Sequence, residues 1–210
     1  MTIKPGNQTI FLKDYKPSEF KIKSVKLNIF LAENIVEVLA IIRFKHQREK
    51  KIPLVLDGSR FLTLKSLKID GVELGYNKYE LKDNSLIIFE VPKEFVLETI
   101  VKIKPQDNTT LTGLYKSDGM FCTQCEAEGF RNITYYLDRP DIMSKFQCRI
   151  EGNKEKYPVL LSNGNLIESG DLSGGRHYVL WDDPFLKPCY LFALVAGNLS
   201  YIEDYFYTQS

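Results

Sequence analysis

Residues that commonly build catalytic centres are scarce in this sequence. Its 210 residues include two histidines, His46 and His177, one tryptophan and four cysteines. The patterns H-E-x-x-H, G-x-S-x-G and G-x-G-x-x-G are absent, and so is a P-loop. Metal hydrolases usually need two or three histidines with an acid at fixed spacing. We therefore interpret both histidines as structural and expect no catalytic and no metal-ligating residue in this chain.

A surplus of basic charge is also lacking, because 28 Lys and Arg residues face 27 Asp and Glu residues and leave a net charge of +1. Nucleic acids and anionic membranes attract proteins with a basic surplus, so neither is predicted as a partner. One basic cluster stands out, consisting of Arg43, Lys45, His46, Arg48, Lys50 and Lys51. It is either an anion-binding patch or the solvated end of a hairpin, and the balanced charge favours the hairpin.

No apolar stretch is long enough to cross a bilayer. The most apolar segment, Pro188 to Leu199, is too short for that and predicts a buried strand. The polar start after Met1 does not resemble a secretory signal. Four cysteines in such a chain are typical of free thiols in a reducing compartment. We therefore predict a cytoplasmic location.

Two of the cysteines form a Cys122-x-x-Cys125 pair. A structural zinc site needs four ligands, and Cys148 and Cys189 each stand alone in the sequence. A redox pair belongs at the start of a helix that follows a strand, and the sequence predicts no helix here. Zinc and redox chemistry stay open as alternatives, but two partly buried free thiols are favoured.

An alternation of apolar and polar residues with a period of two dominates the rest of the chain. The clearest strands run from Ile22 to Leu31 and from Val36 to Phe44, and Asp70-Gly71 predicts a type I′ turn. Further strands are predicted at 52–56, 61–69, 73–76, 79–81, 85–91, 97–103, 146–150, 157–161, 165–168, 176–181, 189–196 and 201–207. One helical turn is expected at 140–145. The pattern predicts an all-β sandwich of mostly antiparallel strands, preceded by an extended arm over residues 1–14.

The stretch from Phe121 to Asp141, FCTQCEAEGFRNITYYLDRPD, departs from this plain β pattern. If the segment is extended, Gln124, Glu126 and Glu128 face the same side, since residues two apart share a face. A carboxylate beside an amide can bind an ammonium group. A solvated acidic loop is the competing interpretation and, on the residues alone, the favoured one. Arg131 and Asp138 are equally consistent with a structural ion pair.

Three long motifs give this stretch a family resemblance. CTQCEAEGFRNITYYLDRPD, YPVLLSNGN and DPFLKPCYLFALVAG occur in this order, and NTTLTGLY precedes them from Asn108 to Tyr115. From about Tyr15 to its end, the chain closely resembles the N-terminal region of the bacterial aminopeptidase N group of gluzincin zinc aminopeptidases. The resemblance implies a saddle-like β domain over residues 1–198, followed at 199–210 by the first strand of a catalytic domain. The zinc ligands of the family lie downstream and are not in these residues.

The resemblance also implies a role for part of the site. Family members place a Gln-x-Glu loop from this domain at the substrate pocket. By motif match, Glu126 binds the free α-ammonium of a peptide and Gln124 lines the same pocket, whereas Glu128 has no assigned role. The resemblance thus implies zinc and peptide substrates for the full-length enzyme, and a chain that is inactive without its catalytic domain.

A second hypothesis belongs to another class of protein. Under this hypothesis, the chain is a stand-alone β-sandwich module that binds a peptide or protein through a loop or a sheet edge. The last predicted strand ends just before Thr208, with no closing element after it, so we expect the chain to continue into further domains. Sequence beyond Ser210 with an H-E-x-x-H motif supports the peptidase, and a stop codon there supports the module.

Overall fold

A computed structural model describes residues 11–47 and 52–208 of the chain. Within these residues the secondary structure consists of strands and short 3-10 turns, with no α-helix. The strands are β1 (Phe20–Phe30), β2 (Val36–His46), β3 (Leu54–Asp57), β4 (Thr63–Ile69), β5 (Val72–Glu73), β6 (Tyr79–Lys82), β7 (Ser85–Ile88), β8 (Glu94–Ile103), β9 (Gly113–Ser117), β10 (Met120–Gln124), β11 (Met143–Asn153), β12 (Val159–Ser162), β13 (Asn165–Leu172), β14 (Arg176–Pro188) and β15 (Leu194–Gly197). The all-β prediction is confirmed.

The described strands form three sheets. The largest has eight strands in the order β13-β14-β11-β1-β2-β8-β4-β5, and its β1–β11 pair is parallel. A four-stranded sheet has the order β12-β15-β10-β9, and a three-stranded sheet has the order β3-β7-β6. The remaining pairs within the described strands are antiparallel, as predicted.

One core lies between the sheets. Alternate residues of β1 and β2 are buried, and they share a single apolar cluster with Leu54 and Leu86 of the three-stranded sheet and Phe121 of the four-stranded sheet. Each fully buried side chain of this size contributes about 1.5–3 kcal/mol of transfer free energy. The alternation in β1 shifts at a bulge between Ile22 and Ser24. That bulge explains why the apolar positions of the sequence step from Ile22 to Val25.

Two β-hairpin turns have the backbone conformation that their Asp-Gly sequences predict. Asp70 and Gly71 have φ angles of 50° and 80°, as the two central residues of a type I′ turn require, so that prediction is confirmed. Asp118 and Gly119 form a second turn of this kind, with φ angles of 47° and 79°, between β9 and β10. This hairpin carries the candidate site at its other end.

Four local predictions are wrong. The strand predicted at 73–76 ends at Glu73, and Tyr76–Lys78 is a 3-10 turn. Residues 140–145 form no helical turn, because a tight turn that joins the Ile142 N–H to the Arg139 carbonyl leads directly into β11. The predicted strand at 189–196 starts with a 3-10 turn, Cys189–Leu191, and becomes a strand only at Leu194. Residues 201–208 lie exposed outside any ladder, so the strand predicted at 201–207 is not formed.

The proposed domain limits extend beyond the described residues at both ends. Of the predicted arm at 1–14, residues 11–14 are described, and Leu12–Asp14 is an exposed 3-10 turn. Residues 209 and 210 of the segment predicted to open a catalytic domain lie outside the described part. A boundary near residue 198 stays a prediction. Among the described residues, no helix has the length and apolar character needed to cross a membrane.

Candidate functional site

The candidate site begins where β10 ends. Residues 120–124 pair with β9 on one side, with Gln124 opposite Gly113, and with β15 on the other side, with Phe121 opposite Ala196. The Thr123 hydroxyl strengthens the second contact, since its Oγ1 accepts from the Leu194 N–H at 2.7 Å and donates to the Leu194 carbonyl at 3.1 Å. Gln124 therefore stands at the end of a strand that is fixed on both edges.

Beyond Gln124 the chain folds back on itself. The Gly129 N–H donates to the Cys125 carbonyl at 2.8 Å, and the Glu126–Ala127 peptide bond within this turn is cis. Gly129 lies so close to the strands that a Cβ there would meet the Gln124 carbonyl oxygen at 2.3 Å and the Gly113 nitrogen at 3.0 Å. Glycine is the residue that permits this approach.

The structure brings Gln124 and Glu126 together. Both side chains are exposed, and Gln124 Nε2 donates to the Glu126 main-chain carbonyl at 3.2 Å. Within the described part of the chain, the Glu126 carboxylate takes part in no hydrogen bond or ion pair. The expectation that Glu128 projects from the same extended face is wrong, because the strand ends at Gln124. Glu128 instead reaches Arg131 Nη2 at 3.4 Å.

Arg131 and Asp138 form the structural ion pair that the sequence left open. Both the main-chain N–H and Nε of Arg131 donate to Asp138 Oδ2, at 3.1 and 2.9 Å, and Nη2 donates to the Asp138 carbonyl at 3.2 Å. The Asp138 side chain is 1% exposed, and its other oxygen accepts from Cys189 Sγ at 3.0 Å. A buried carboxylate held by three donors fixes both ends of the segment from Arg131 to Asp138, which follows the Glu126 turn.

Asp57, at the end of β3, is a member of this network that the sequence did not indicate. Its Oδ2 accepts from the Asp138 N–H at 3.0 Å, and its Oδ1 lies 3.8 Å from Arg131 Nη1. Burial raises the pKa of Asp57, and the Asp138 N–H and the Arg131 charge oppose that rise. The contact spans 81 residues of sequence, so no local pattern could have revealed it.

A buried aromatic cluster packs around Phe130, at the end of the turn that contains Glu126. Phe130 is fully buried, and its ring centroid lies 4.8 Å from that of Tyr136, 5.4 Å from Phe192 and 6.0 Å from Phe146, each in an edge-to-face arrangement. Edge-to-face pairs are favourable because the ring edge is positive and the face negative. Phe130 directly follows Gly129, so this cluster anchors the returning end of the turn.

A second loop, NTTLTG, packs beside the first. Asn108 is buried, and its Nδ2 donates to the carbonyls of Thr112 and Leu114, while its Oδ1 accepts from Thr110. Asn132 Nδ2 donates to the same Thr112 carbonyl at 3.3 Å, which ties this loop to the Glu126 loop. The NTTLTG motif therefore supports the position of Gln124 from the neighbouring strand.

The four cysteines carry free thiols. Burial raises the pKa of Cys125 and of Cys148 to about 12, and burial together with the Asp138 charge raises that of Cys189. Cys122 is partly buried, and its pKa is also raised by burial. Thiols of this kind stay protonated at neutral pH and are poor nucleophiles and poor metal ligands. Within residues 11–47 and 52–208, no group of three or more His, Cys, Asp or Glu side chains converges on a metal position.

Both histidines are buried, which is consistent with a structural role. His177 is buried, and its Nε2 lies 2.7 Å from the Tyr157 carbonyl. His46 is buried at the end of β2, with its ring centroid 4.7 Å from that of Phe20. In the basic cluster, Lys45 pairs with Glu94 at 2.9 Å, whereas Arg48, Lys50 and Lys51 lie outside the described residues.

The arrangement offers one free carboxylate beside an oriented amide on a rigid support. Because Gln124 Nε2 is used by the Glu126 carbonyl, Gln124 Oε1 is left as an acceptor. Two acceptors, one of them charged, are complementary to an ammonium group. Both side chains are open to solvent, so within the described residues they do not line an enclosed pocket.

This fold and loop define the class of protein. Residues 15–191 match the family model described as the Peptidase M1 N-terminal domain, and the chain belongs to that family. The resemblance drawn from the sequence motifs is therefore confirmed.

Relatives and solved structures agree. The chain is 49% identical over 203 residues to Aminopeptidase N of Caulobacter vibrioides, covering 97% of this chain and 23% of that protein. It is 42% identical over 210 residues to Aminopeptidase N of Escherichia coli, covering 100% of this chain and 24% of that protein. The chain thus spans about a quarter of the length of these relatives.

Among solved structures, aminopeptidase A of Legionella pneumophila in complex with aspartic acid superposes with a TM-score of 0.84 at 41% identity, covering 90% of this chain and 22% of that one. An M1 zinc metallopeptidase of Deinococcus radiodurans superposes with a TM-score of 0.73 at 14% identity, covering 85% of this chain and 42% of that one. The second similarity shows the shared fold alone.

Proposed function

We propose that this chain is the part of a zinc aminopeptidase that recognises the free amino terminus of a peptide. The observation that carries the proposal is the unpaired Glu126 carboxylate beside Gln124, on a turn that is closed by the Gly129–Cys125 hydrogen bond and followed by the Arg131–Asp138 pair. The coverage of about a quarter of each relative supports this proposal over the stand-alone binding module. The rest of such a protein supplies the other side of the site.

The two residues divide the recognition between them. The substrate ammonium donates to the Glu126 carboxylate and to Gln124 Oε1, the acceptor left by the Gln124–Glu126 contact. A peptide with an acylated amino terminus has neither the positive charge nor the extra donors, so the site discriminates against it. Both side chains act by binding and orienting the substrate, and neither takes part in bond cleavage.

The zinc implied by the family does not fit the described residues, since no three of their potential ligands converge. We propose that it is held by a catalytic domain in a longer polypeptide, where a bound zinc ion supplies an activated water. The chain by itself is accordingly expected to hydrolyse no peptide. Its cytoplasmic location stays a prediction from the sequence.

The test is the Glu126→Gln substitution in the full-length protein. It keeps the size of the side chain and removes its charge, so we expect kcat/KM for substrates with a free amino terminus to fall about 10-fold or more. Glu155→Gln, an exposed glutamate in the turn before Tyr157, serves as the matched control and should have no effect. An unchanged kcat/KM for the Glu126 variant would refute the assignment of this residue.

A further inference from the structure

A cleft rich in basic side chains lies beside β4 and β8, and the proposed amine site uses none of its residues. The cleft is lined by four cationic side chains, those of Arg60, Lys65, Lys102 and Lys104. Its volume is about 330 Å³, which is at the lower end of the range for small-molecule sites. We call it the basic cleft.

The fold gathers the four cations from two distant stretches of the sequence. β4 and β8 are neighbouring strands, and Thr63 faces Lys102 across their ladder. Lys65 is the extra residue where the register shifts between Leu64 and Ser66. A bulge of this kind takes a side chain out of the regular alternation of the strand. The other two cations stand in the turn before β4 and in the segment directly after β8.

Hydrogen bonds fix the backbone on one side of the basic cleft. Gln106 Nε2 donates to the Asn34 carbonyl at 2.7 Å. This bond joins the β1–β2 turn, which ends at Ile35, to the 3-10 turn Pro105–Asp107 that follows β8. Ile35 and the segment after β8 therefore keep a fixed relation to each other.

A second wall of the basic cleft is the turn before β4. The Leu62 N–H donates to the Ser59 carbonyl at 3.1 Å and closes this turn around Arg60. The Arg60 guanidinium lies 5.3 Å from the ring centroid of Phe61, which also lines the cleft. A guanidinium over an aromatic face is attracted by the ring quadrupole, so this contact favours one orientation of the Arg60 side chain.

The charges of the basic cleft are not balanced. Lys102 Nζ lies 3.7 Å from Glu37 Oε2, and Lys104 Nζ lies 3.9 Å from Asp107 Oδ2. The side chains of both pairs are 39–64% exposed, and ion pairs as long and as exposed as these are weak. Within the described residues, Lys65 takes part in no hydrogen bond or ion pair. Four cations and two carboxylates leave a local surplus of two positive charges, although the net charge of the whole chain is only +1.

We propose that the basic cleft binds a small organic phosphate monoester. Such a group carries about −1.5 to −2 charges at neutral pH, which matches the local surplus better than a single carboxylate does. Its oxygens accept from lysine and arginine side chains, and these charge-assisted hydrogen bonds are strong. Ile35, which is 41% exposed, and the half-buried Phe61 line the same cleft and offer apolar contacts to the organic part. This binding is independent of the proposed recognition of a peptide amino terminus.

An NMR titration of the 210-residue chain with phenyl phosphate, at low salt and about pH 7.5, tests the site. We expect saturable shifts of the backbone amides at 35, 60–65 and 102–107, with a Kd of about 1 mM or lower. Inorganic phosphate should bind more weakly because it lacks the organic part, and benzoate should bind more weakly because it carries a single charge. The absence of saturation up to about 10 mM phenyl phosphate would overturn the inference. So would equal affinity for phenyl phosphate and either of the other two anions.

Charge reversal distinguishes a defined site from general attraction of anions. Lys65→Glu reverses a charge inside the basic cleft, whereas Lys78→Glu reverses one on the exposed 3-10 turn before β6. The two variants have the same net charge, and both side chains are exposed, so both proteins should keep their Tm. We expect the Kd for phenyl phosphate to rise at least about 10-fold in the Lys65 variant and to change little in the Lys78 variant. Lys104→Glu, at a second exposed position of the cleft, should act like Lys65→Glu. Equal Kd values for the cleft variants and the Lys78 variant would refute the basic cleft as the binding site.

Discussion

Gly129→Ala adds one methyl group where the Glu126 loop passes closest to the strands. The added Cβ would lie 2.3 Å from the Gln124 carbonyl oxygen, 2.8 Å from Cys125 Cα and 3.0 Å from the Gly113 nitrogen. All three are main-chain atoms, so no side-chain rotation can relieve the contacts. With φ of −88° and ψ of −20°, Gly129 has a conformation that alanine adopts freely. The cost is therefore steric and not conformational.

The size of the effect follows from two opposing terms. Overpacking of this kind costs about 1–3 kcal/mol of unfolding free energy. Reduced freedom of the unfolded chain returns about 0.4–1 kcal/mol when glycine becomes alanine. The net cost is thus at most about 2.6 kcal/mol. In a protein of this length each kcal/mol changes Tm by about 2–4 °C, so we expect Tm to fall by up to about 10 °C. Urea unfolding of the 210-residue chain measures the free energy directly.

Gly152→Ala is the matched control, because it adds the same methyl group on β11. There the nearest atoms are Leu160 Cδ2 at 3.5 Å and Tyr157 Cδ2 at 3.6 Å, which are ordinary contacts. We expect no loss of stability and a gain of up to about 1 kcal/mol. Equal stability of the Gly129 and Gly152 variants would refute the close approach of the loop to the strands. Hydrogen exchange over 124–132 should rise in the Gly129 variant alone, because the loop must move to admit the methyl group.

Two further predictions concern ionisable groups. Hydrogen bonds, first of all from Tyr157, lower the pKa of Glu33 from 4.5 to about 2. The ionised Glu33 therefore stabilises the fold fully above about pH 4.5, and this contribution is lost as the pH falls through about 2. Glu33→Gln should therefore flatten the acid limb of the stability curve, and superimposable curves would contradict the prediction. A thiol-specific reagent that reacts by disulfide exchange should label Cys122 first at about pH 8, because Cys122 is only partly buried. Burial raises the pKa of Cys125 and Cys148 to about 12, so these thiols stay protonated. Equal labelling of all the cysteines in the folded chain would refute this order.

Local patterns in the sequence predicted the strands and turns well because their causes are local. The period-two alternation of β1 and β2, including the step from Ile22 to Val25, corresponds to the buried face and its bulge. Asp70-Gly71 has the positive φ angles that a type I′ turn demands. The parallel pairing of β1 with β11 was not predictable in this way, since it joins segments more than a hundred residues apart.

The errors have tertiary causes. Pro140 is compatible with the first position of a helix, but Met143–Asn153 is taken up between β1 and β14, and their ladders override the local preference. Gln124 and Glu126 were expected to share a strand face, yet β10 ends at Gln124 because the backbone turns back through Gly129. Residues 201–208 keep a β-like sequence but find no partner strand in the described chain.

The sequence identified residues of the candidate site, but it did not predict how their side chains are arranged. The motif match indicated Gln124 and Glu126, and the Arg131–Asp138 pair was one of two open interpretations. Asp57 was missed because its contact with the loop depends on how β3 packs against it. Amine binding by Glu126 stays a prediction until the variant is measured.

The framework and the binding groups of this site differ in their exposure to water. Asp138 and Phe130 are buried, whereas Gln124 and Glu126 remain exposed. An exposed carboxylate attracts an ammonium group only weakly, because contacts of this kind contribute about 0–1 kcal/mol in water. The same pair becomes much stronger when a second wall excludes water and lowers the effective dielectric. Under the proposed function, this domain would therefore contribute the position of the charge, and the strength of the interaction would depend on a second surface that excludes water from it.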